Sequence, residues 1–279
     1  MVQRPRPHRP AERRQDPRSR PAAAPARSAH PSGPRDSDDE NETIQGLRAG
    51  LAVFAERRDD VLRVAFSREV RHEVQALARW AAAQGIPCGE ASDADLARVA
   101  GGPHHEGLCV LARPRSWLST GELGDRLIEK SGTCIALDRV RNPYNVGAAL
   151  RSAAFFGVDA ALLGAPAPHP GLAPTAVRVA EGGVEHLAMA RTTDLADTLA
   201  RLRARGVKVV GTDGQARDSA LSHPFHRPAV LVLGNEREGL GDRIRAQCDA
   251  VVAIQGSGAV ESLNVAVAAG VLVSRMMQR

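Results

Sequence analysis

Arg151 stands six residues after Asn145, behind a turn that also holds Pro143 and Gly147. The turn follows an apolar, strand-like run at 134–137. A strand-to-helix turn of this kind is a common place for a ligand site in an α/β protein. Asn145 is of a type that caps a helix, and Gly147 allows a close approach to the first turn. The spacing predicts a helix over 145–156, with Val146, Ala149, Leu150, Ala153 and Gly157 on one small apolar face. Arg151 falls off that face, which leaves its guanidinium for a phosphate. Two later segments repeat the design. In 230–240 the strand run ends at Gly234, where a side chain would obstruct a ligand, and Glu236 is the first acid after it. In 251–265 a strand run enters a loop with Gly256 and Gly258, and Ser262 is placed to cap the last helix. Backbone N–H and C=O groups of such a loop can read a purine edge without side chains. Together the three turns describe a ligand site at strand ends, with an arginine, a glutamate and amides near it. None matches a Rossmann fingerprint or a P-loop. By themselves the residues also fit an ordinary capped helix with a solvated arginine, and the chemistry stays open.

These turns need strands and helices to carry them. From Thr133 onward, apolar runs at 133–137, 160–164, 207–211, 230–233 and 251–254 alternate with helical periodicity at 145–156, 174–180, 193–204, 239–247 and 263–277. That alternation predicts a mostly parallel sheet with helices on both faces. Along the last helix Val265, Ala268, Ala269, Leu272 and Met276 fill one side, and Val267 and Val271 another. A helix apolar on two sides is expected to be buried twice, by its own sheet and by a second subunit. Upstream, Ile44, Leu47, Leu51, Phe54 and Ala55 recur at helical spacing, and 61–66 reads as a strand. Val70, Val74, Leu77, Ala78 and Ala81 read as a second helix, 86–88 as a short strand, 93–99 as a helix and 108–111 as a strand. This predicts a small α/β domain at 43–113, a linker at 114–132 and a larger domain at 133–279.

Composition narrows the function classes. The chain has 279 residues, enough for two domains with cores of their own. Aromatics make up only 3%, so the core must come mostly from Ala, Val and Leu. The late apolar run at 265–273 is too short to span a bilayer, and no secretory signal is read at the N-terminus. Cys88, Cys109, Cys134 and Cys248 lack paired or metal-ligand spacing and read as reduced cytosolic thiols. His104 and His105 are adjacent, but no second ligand pair accompanies them, so a loop role is expected and no metal. The formal charge of +5 is uneven. Residues 1–35 hold nine arginines against Glu12 and Asp16, and 36–42 hold five acids. Residues 1–42 are rich in Pro, Arg and Ala without apolar periodicity and are expected to be disordered. They read as an RNA-attracting basic arm or as a solubilising tail. Arg13-Arg14 is not an export signal, because no apolar segment follows it.

In order, the three segments resemble motifs one, two and three of the SpoU (TrmH-type) RNA methyltransferases of the SPOUT superfamily. The resemblance covers 133–279. Residues 43–113, with the turn Gly102-Pro103-His104-His105-Glu106-Gly107, resemble the family's ribosomal-protein-like substrate-binding domain. It implies an α/β fold with a trefoil-knotted SPOUT domain, a cytoplasmic homodimer and S-adenosylmethionine as methyl donor. Gly234, Ile254 and Leu263 match the positions whose backbone holds the adenosyl group. Asn145, Arg151, Glu236, Ser262 and Asn264 match polar active-site positions, with Arg151 as the catalytic group. The implied reaction is 2′-O-methylation of a ribose in tRNA or rRNA, and recognition of a ribose hydroxyl selects RNA. The third motif departs from the family. Where Pro and Met commonly follow the Ile, this chain has Gln255 and Gly256. That loop shapes the cofactor pocket, so a non-catalytic RNA-binding protein is the alternative reading. Methylation of a base would use the same cofactor.

Overall fold

Two sheets organise the chain, and the first is small. The computed structural model describes residues 41–164, 172–235 and 238–278, so the tail up to residue 40 lies outside the described residues. The order begins β1 (Glu42–Gln45), α1 (Leu47–Glu56), β2 (Val61–Phe66), α2 (Gln75–Ala83), β3 (Cys88–Glu90), α3 (Asp93–Ala100) and β4 (Leu108–Ala112). The strands align as β1-β4-β2-β3. β2 and β3 are parallel and the other pairs antiparallel. Ile44 does not open a helix, as its spacing suggests. It is a strand residue opposite Val110. Gly46, at φ 101, separates that strand from α1, a conformation that only glycine adopts without strain. The second helix is also shorter than its periodicity. Val70 closes a 3-10 turn, and α2 starts at Gln75.

The stretch between the sheets carries α4 (Thr120–Lys130). A capping box starts it: Ser119 Oγ accepts from the Glu122 N–H at 3.2 Å, and Glu122 Oε2 accepts from the Ser119 N–H at 2.8 Å. Then follow β5 (Thr133–Asp138), α5 (Pro143–Phe155), β6 (Ala160–Gly164), α6 (Pro174–Val179), β7 (Ala188–Thr192), α7 (Leu195–Ala204), β8 (Lys208–Thr212), β9 (Asp218–Ser219), β10 (Ala229–Leu233), α8 (Asp242–Arg245), β11 (Ala250–Ala253) and α9 (Val265–Met277). The strands form one parallel sheet in the order β7-β6-β5-β10-β8-β11-β9. The parallel sheet agrees with the alternation in the sequence. β7 does not, because Ala188–Thr192 lacks a continuous apolar run and pairs only at the sheet edge. The helix expected over 239–247 shrinks to α8, since Gly239 at φ 61 and extended Gly241 delay its start.

Every residue of β5, β6 and β10 is buried, as in strands covered on both faces. Alternate side chains go to opposite layers. Ile135, Leu137, Leu163, Leu231 and Leu233 share a core with Leu150 and Ala153 of α5 and Leu272 and Met276 of α9. Cys134, Ala136, Leu162, Val230 and Val232 share the other with Leu123 and Leu127 of α4 and Leu199 and Leu202 of α7.

A buried ionic network joins the small sheet to the large one. Glu42 on β1 accepts from Arg57 at 2.9 Å and from the Arg115 side chain at 3.0 Å. Glu185, in the turn before β7, accepts from Arg57 Nε at 2.8 Å and lies 3.3 Å from Arg115. Burial pulls the Arg57 guanidinium down, but its hydrogen bond to Glu185 and the charges of Glu185, Glu42 and Asp60 outweigh that and raise it. Arg115 and Glu185 are only 5% and 4% exposed, so solvent screens this pair little. Removing one partner from a buried pair costs about 3–5 kcal/mol. Arg115→Ala is therefore expected to lower the urea midpoint by that equivalent, with an unchanged denaturant slope. A loss below about 1 kcal/mol would show that water screens the network.

Candidate active site

Because the large sheet is parallel, its strands end on the same edge, and three turns meet there. Leu233, the last residue of β10, lies beside Leu137 of β5. β8 separates β10 from β11, with Val232 beside Gly211 and Val252 beside Thr212. The turn after β5 is tied to the turn after β10 through Arg139, which sits at φ 56. Its carbonyl accepts from Asn235 Nδ2 at 3.1 Å, and its guanidinium donates to the Gly239 carbonyl at 3.0 Å. The same guanidinium pairs with Asp138 at 3.2 Å and with Glu238. The turn after β11 is tied to α5, where Asn264 Nδ2 donates to Asn145 Oδ1 at 3.0 Å.

The caps differ from the expected ones. Asn142, not Asn145, caps α5, accepting from the Tyr144 N–H at 3.0 Å, and Pro143 occupies the first turn. Proline there has its φ preset for a helix and lacks an N–H to satisfy, so the helix starts earlier than 145. Asn145 thus faces the site from within the first turn. Likewise Ser262 does not cap α9. Asn264 does, accepting from the Ala266 N–H at 2.8 Å, while Ser262 is exposed in the preceding loop. Gly157 is exposed beyond the end of α5 and is not part of its apolar face, which is Val146, Ala149, Leu150 and Ala153.

Two glycines serve the fold more directly than a ligand. A Cβ on Gly147 would lie 2.5 Å from the Ala176 carbonyl oxygen, so α6 makes the close approach. A Cβ on Gly234 would lie 2.6 Å from the backbone of Gly239, so the turn folds onto its own glycine. Of the adenosyl positions, Ile254 is partly buried against the core and Leu263 is 45% exposed. Residues 255–263 are exposed, and Gly258 takes φ 83.

The structure brings Asn145 and Asn264 together but leaves Arg151 apart. Six residues along α5 place Arg151 about 120° around the helix and about 9 Å along it from Asn145. Its guanidinium pairs with Glu181 at 2.8 Å. Glu236 lies outside the described residues. Sequence reasoning missed Arg139, Asn235 and Glu181. Asn235 is adjacent to a marked glycine, but nothing local signals the other two: Arg139 bonds Asn235 and Gly239, 96 and 100 residues away, and Glu181 meets Arg151 on α5.

Other polar groups serve the fold. Among the described residues no cluster of three His, Cys, Asp or Glu is placed to hold a metal ion, and no helix is long and apolar enough to cross a membrane. Buried His105 accepts from the Gly107 N–H through Nδ1 at 3.2 Å, shaping its turn. Burial pushes the Cys109 and Cys248 thiols up to about 11, which keeps them protonated near neutral pH.

Comparison with known proteins covers both sheets. Residues 132–274 match the SpoU rRNA methylase family, and 43–118 match the RNA 2′-O ribose methyltransferase substrate-binding family. The chain is 39% identical over 193 residues to the 23S rRNA (guanosine-2′-O-)-methyltransferase RlmB of Acinetobacter baylyi, covering 67% of this chain and 76% of that one. It is 33% identical over 243 residues to an Escherichia coli O157:H7 protein named uncharacterized tRNA/rRNA methyltransferase YfiF, covering 84% and 67%. Its fold resembles that of the SpoU methyltransferase AviRb of Streptomyces viridochromogenes, solved with AdoMet. The TM-score is 0.70 at 22% identity, over 88% of this chain and 93% of that one.

Asn264 carries two duties that substitution can separate. Asn264→Ala removes the cap of α9 and the donor to Asn145, and is expected to cost about 1 kcal/mol or more of stability. Asn264→Asp restores an acceptor for the Ala266 N–H but no donor. Thermal melting is expected to recover in the aspartate variant by most of the cap's share. Equal melting of the two variants would show that the cap contributes nothing.

Proposed function

The chain belongs to the SpoU RNA methylase family, and we propose that it transfers a methyl group from S-adenosylmethionine to a ribose 2′-hydroxyl of structured RNA, rRNA or tRNA. The observation that carries this reading is the pair of ties joining the three turns, Asn235 to Arg139 and Asn264 to Asn145. They fix glycine-marked backbone and an exposed apolar side chain, Leu263, at one edge of the sheet. Amides beside an apolar surface suit an adenosyl group, so Gly234, Ile254 and Leu263 are the residues to hold it. S-adenosylmethionine supplies an electrophilic methyl on a sulfonium.

The acceptor is a neutral hydroxyl, a poor nucleophile that must lose its proton as it attacks. A guanidinium cation has no lone pair to take that proton, so Arg151 is not the base. Its contribution is to hold the phosphate beside the target ribose, orient the hydroxyl and stabilise developing negative charge on O2′. Asn145, Glu236, Ser262 and Asn264 complete the polar site in this reading. Residues 43–113 would bind the RNA, 114–132 connect, and 133–279 form the catalytic domain with a trefoil-knotted backbone. The arginine-rich tail at 1–42 adds sequence-independent attraction for RNA, and the cytoplasm is where the enzyme works.

The reading also includes a homodimer through α9. Val265, Ala269, Leu272, Val273 and Met276 are buried in the chain's own core, whereas Val267 and Val271 are 54% and 36% exposed. A second subunit would cover those valines. Light scattering is expected to give twice the 29.6 kDa chain mass, and a monomer at micromolar concentration would remove the dimer from the reading.

Arg151 gives the direct test of the chemistry. Arg151→Ala is expected to lower methyl transfer by about two to three orders of magnitude, the usual cost of one lost transition-state contact. Calorimetry should find micromolar S-adenosylmethionine affinity, about −8 kcal/mol, in both proteins. Arg151→Lys should rescue little, since an ammonium lacks the planar fork. Near-normal turnover of Arg151→Ala would end its catalytic assignment. No cofactor binding by the wild-type chain would favour the non-catalytic alternative.

A further inference from the structure

Glu181 holds two arginines from different parts of the chain. Its Oε1 lies 2.8 Å from Arg151 of α5, and its Oε2 lies 3.5 Å from Nε of Arg48 on α1. One carboxylate faces two guanidiniums, so a positive charge is left over. The arginine side chains are 55% and 75% exposed, open to an anion from solvent.

The placement of Glu181 is built into the backbone. It sits at φ 46, an unusual conformation for a residue other than glycine. Behind it, Gly182 takes φ 87, and a Cβ there would lie 2.6 Å from Ala52 Cβ of α1. A Cβ on Gly183 would lie 3.2 Å from Arg151 Cα and 3.1 Å from Ala154 Cβ. The two glycines let the loop pass between α1 and α5, with Glu181 at the meeting point of their arginines. Of the nearby polar groups, Arg178 pairs with Glu106, and His186 Nδ1 lies 3.6 Å from Glu56.

We infer that Arg48 and Arg151 form a two-arginine clamp for one stretch of RNA backbone, and that Glu181 holds the clamp in shape until phosphate displaces it. The inference rests on the reading that structured RNA is the substrate. It adds Arg48 as an RNA-positioning residue and Glu181 as the group that aligns the two guanidiniums. Exposed ion pairs are weak, so a phosphate can replace the carboxylate at little cost. The phosphate contact in turn releases counterions, which favours the exchange at low salt.

The test is anisotropy of a fluorescent RNA stem–loop titrated with the full chain at several salt concentrations. A generic stem–loop suffices, because phosphate contacts carry no sequence information. Arg48→Ala is expected to weaken binding for unrelated sequences alike and to reduce the salt slope by about one phosphate contact. Glu181→Gln keeps the side-chain shape and removes the competing charge, so binding should tighten by up to about fivefold. Cofactor affinity, measured by calorimetry, should be unchanged in both variants, which reports an intact fold. An unchanged salt slope in Arg48→Ala, or unchanged or weaker binding in Glu181→Gln, would overturn the clamp. If the wild-type chain binds no RNA at all, the clamp and the RNA-methylation reading fall together. Normal RNA binding with both variants unaffected would overturn the clamp alone.

Discussion

The parallel pairing of β5 with β10 is the constraint behind the site, because it brings together chain ends separated by nearly a hundred residues. Leu137 and Leu233 are neighbours in register, so the turns that follow them leave the sheet side by side. Only then can Arg139 reach the Gly239 carbonyl and Asn235 reach the Arg139 carbonyl. Burial on both faces locks the register. Shifting one strand by a residue would swap the side chains that face α5 and α9 with those that face α4 and α7. The site therefore inherits its geometry from apolar packing that never touches it.

A second constraint joins the two sheets. Glu42, Arg57, Arg115 and Glu185 come from four separate places in the sequence, and each charge has an opposite partner. Buried charges repay desolvation only when such geometry is good. The network is better understood as fixing the relative position of its elements than as a large source of stability. Its Glu185 belongs to the turn 183–186, which follows Glu181 and contacts α1. The position of the small sheet and the surroundings of Arg151 are thus coupled through one short loop.

Charge is distributed to match an anionic partner without strong internal satisfaction. Arg48 and Arg151 make only exposed pairs, which contribute little to stability. Arg57 and Arg115, at 15% and 5% exposure, are held by carboxylates instead. Arg48 and Arg151 lie exposed, open to an anion from solvent. This separation lets the protein keep basic groups for RNA without depending on them to fold.

Much of this was legible in the sequence. Continuous apolar runs gave β5, β6, β8, β10 and β11, and glycine-marked turns gave the three loops of the candidate site. Resemblance to family motifs supplied the cofactor and the reaction, which no periodicity contains. Local reading failed where neighbours in space overrode neighbours in sequence. Ile44 has helical spacing but pairs with Val110, and Ala188–Thr192 becomes a strand only by lying beside β6. The caps shifted because Pro143 starts α5 early and Asn264 competes successfully with Ser262. Sequence alone determined the residue types, the alternation of elements and the glycine-marked turns proposed to bear the chemistry. Tertiary structure decided which of those residues meet: Asn264 with Asn145, Arg139 with Gly239, Glu181 with Arg48 and Arg151. Such contacts depend on strand order and helix packing, which are set by the chain as a whole and leave no mark within any single motif.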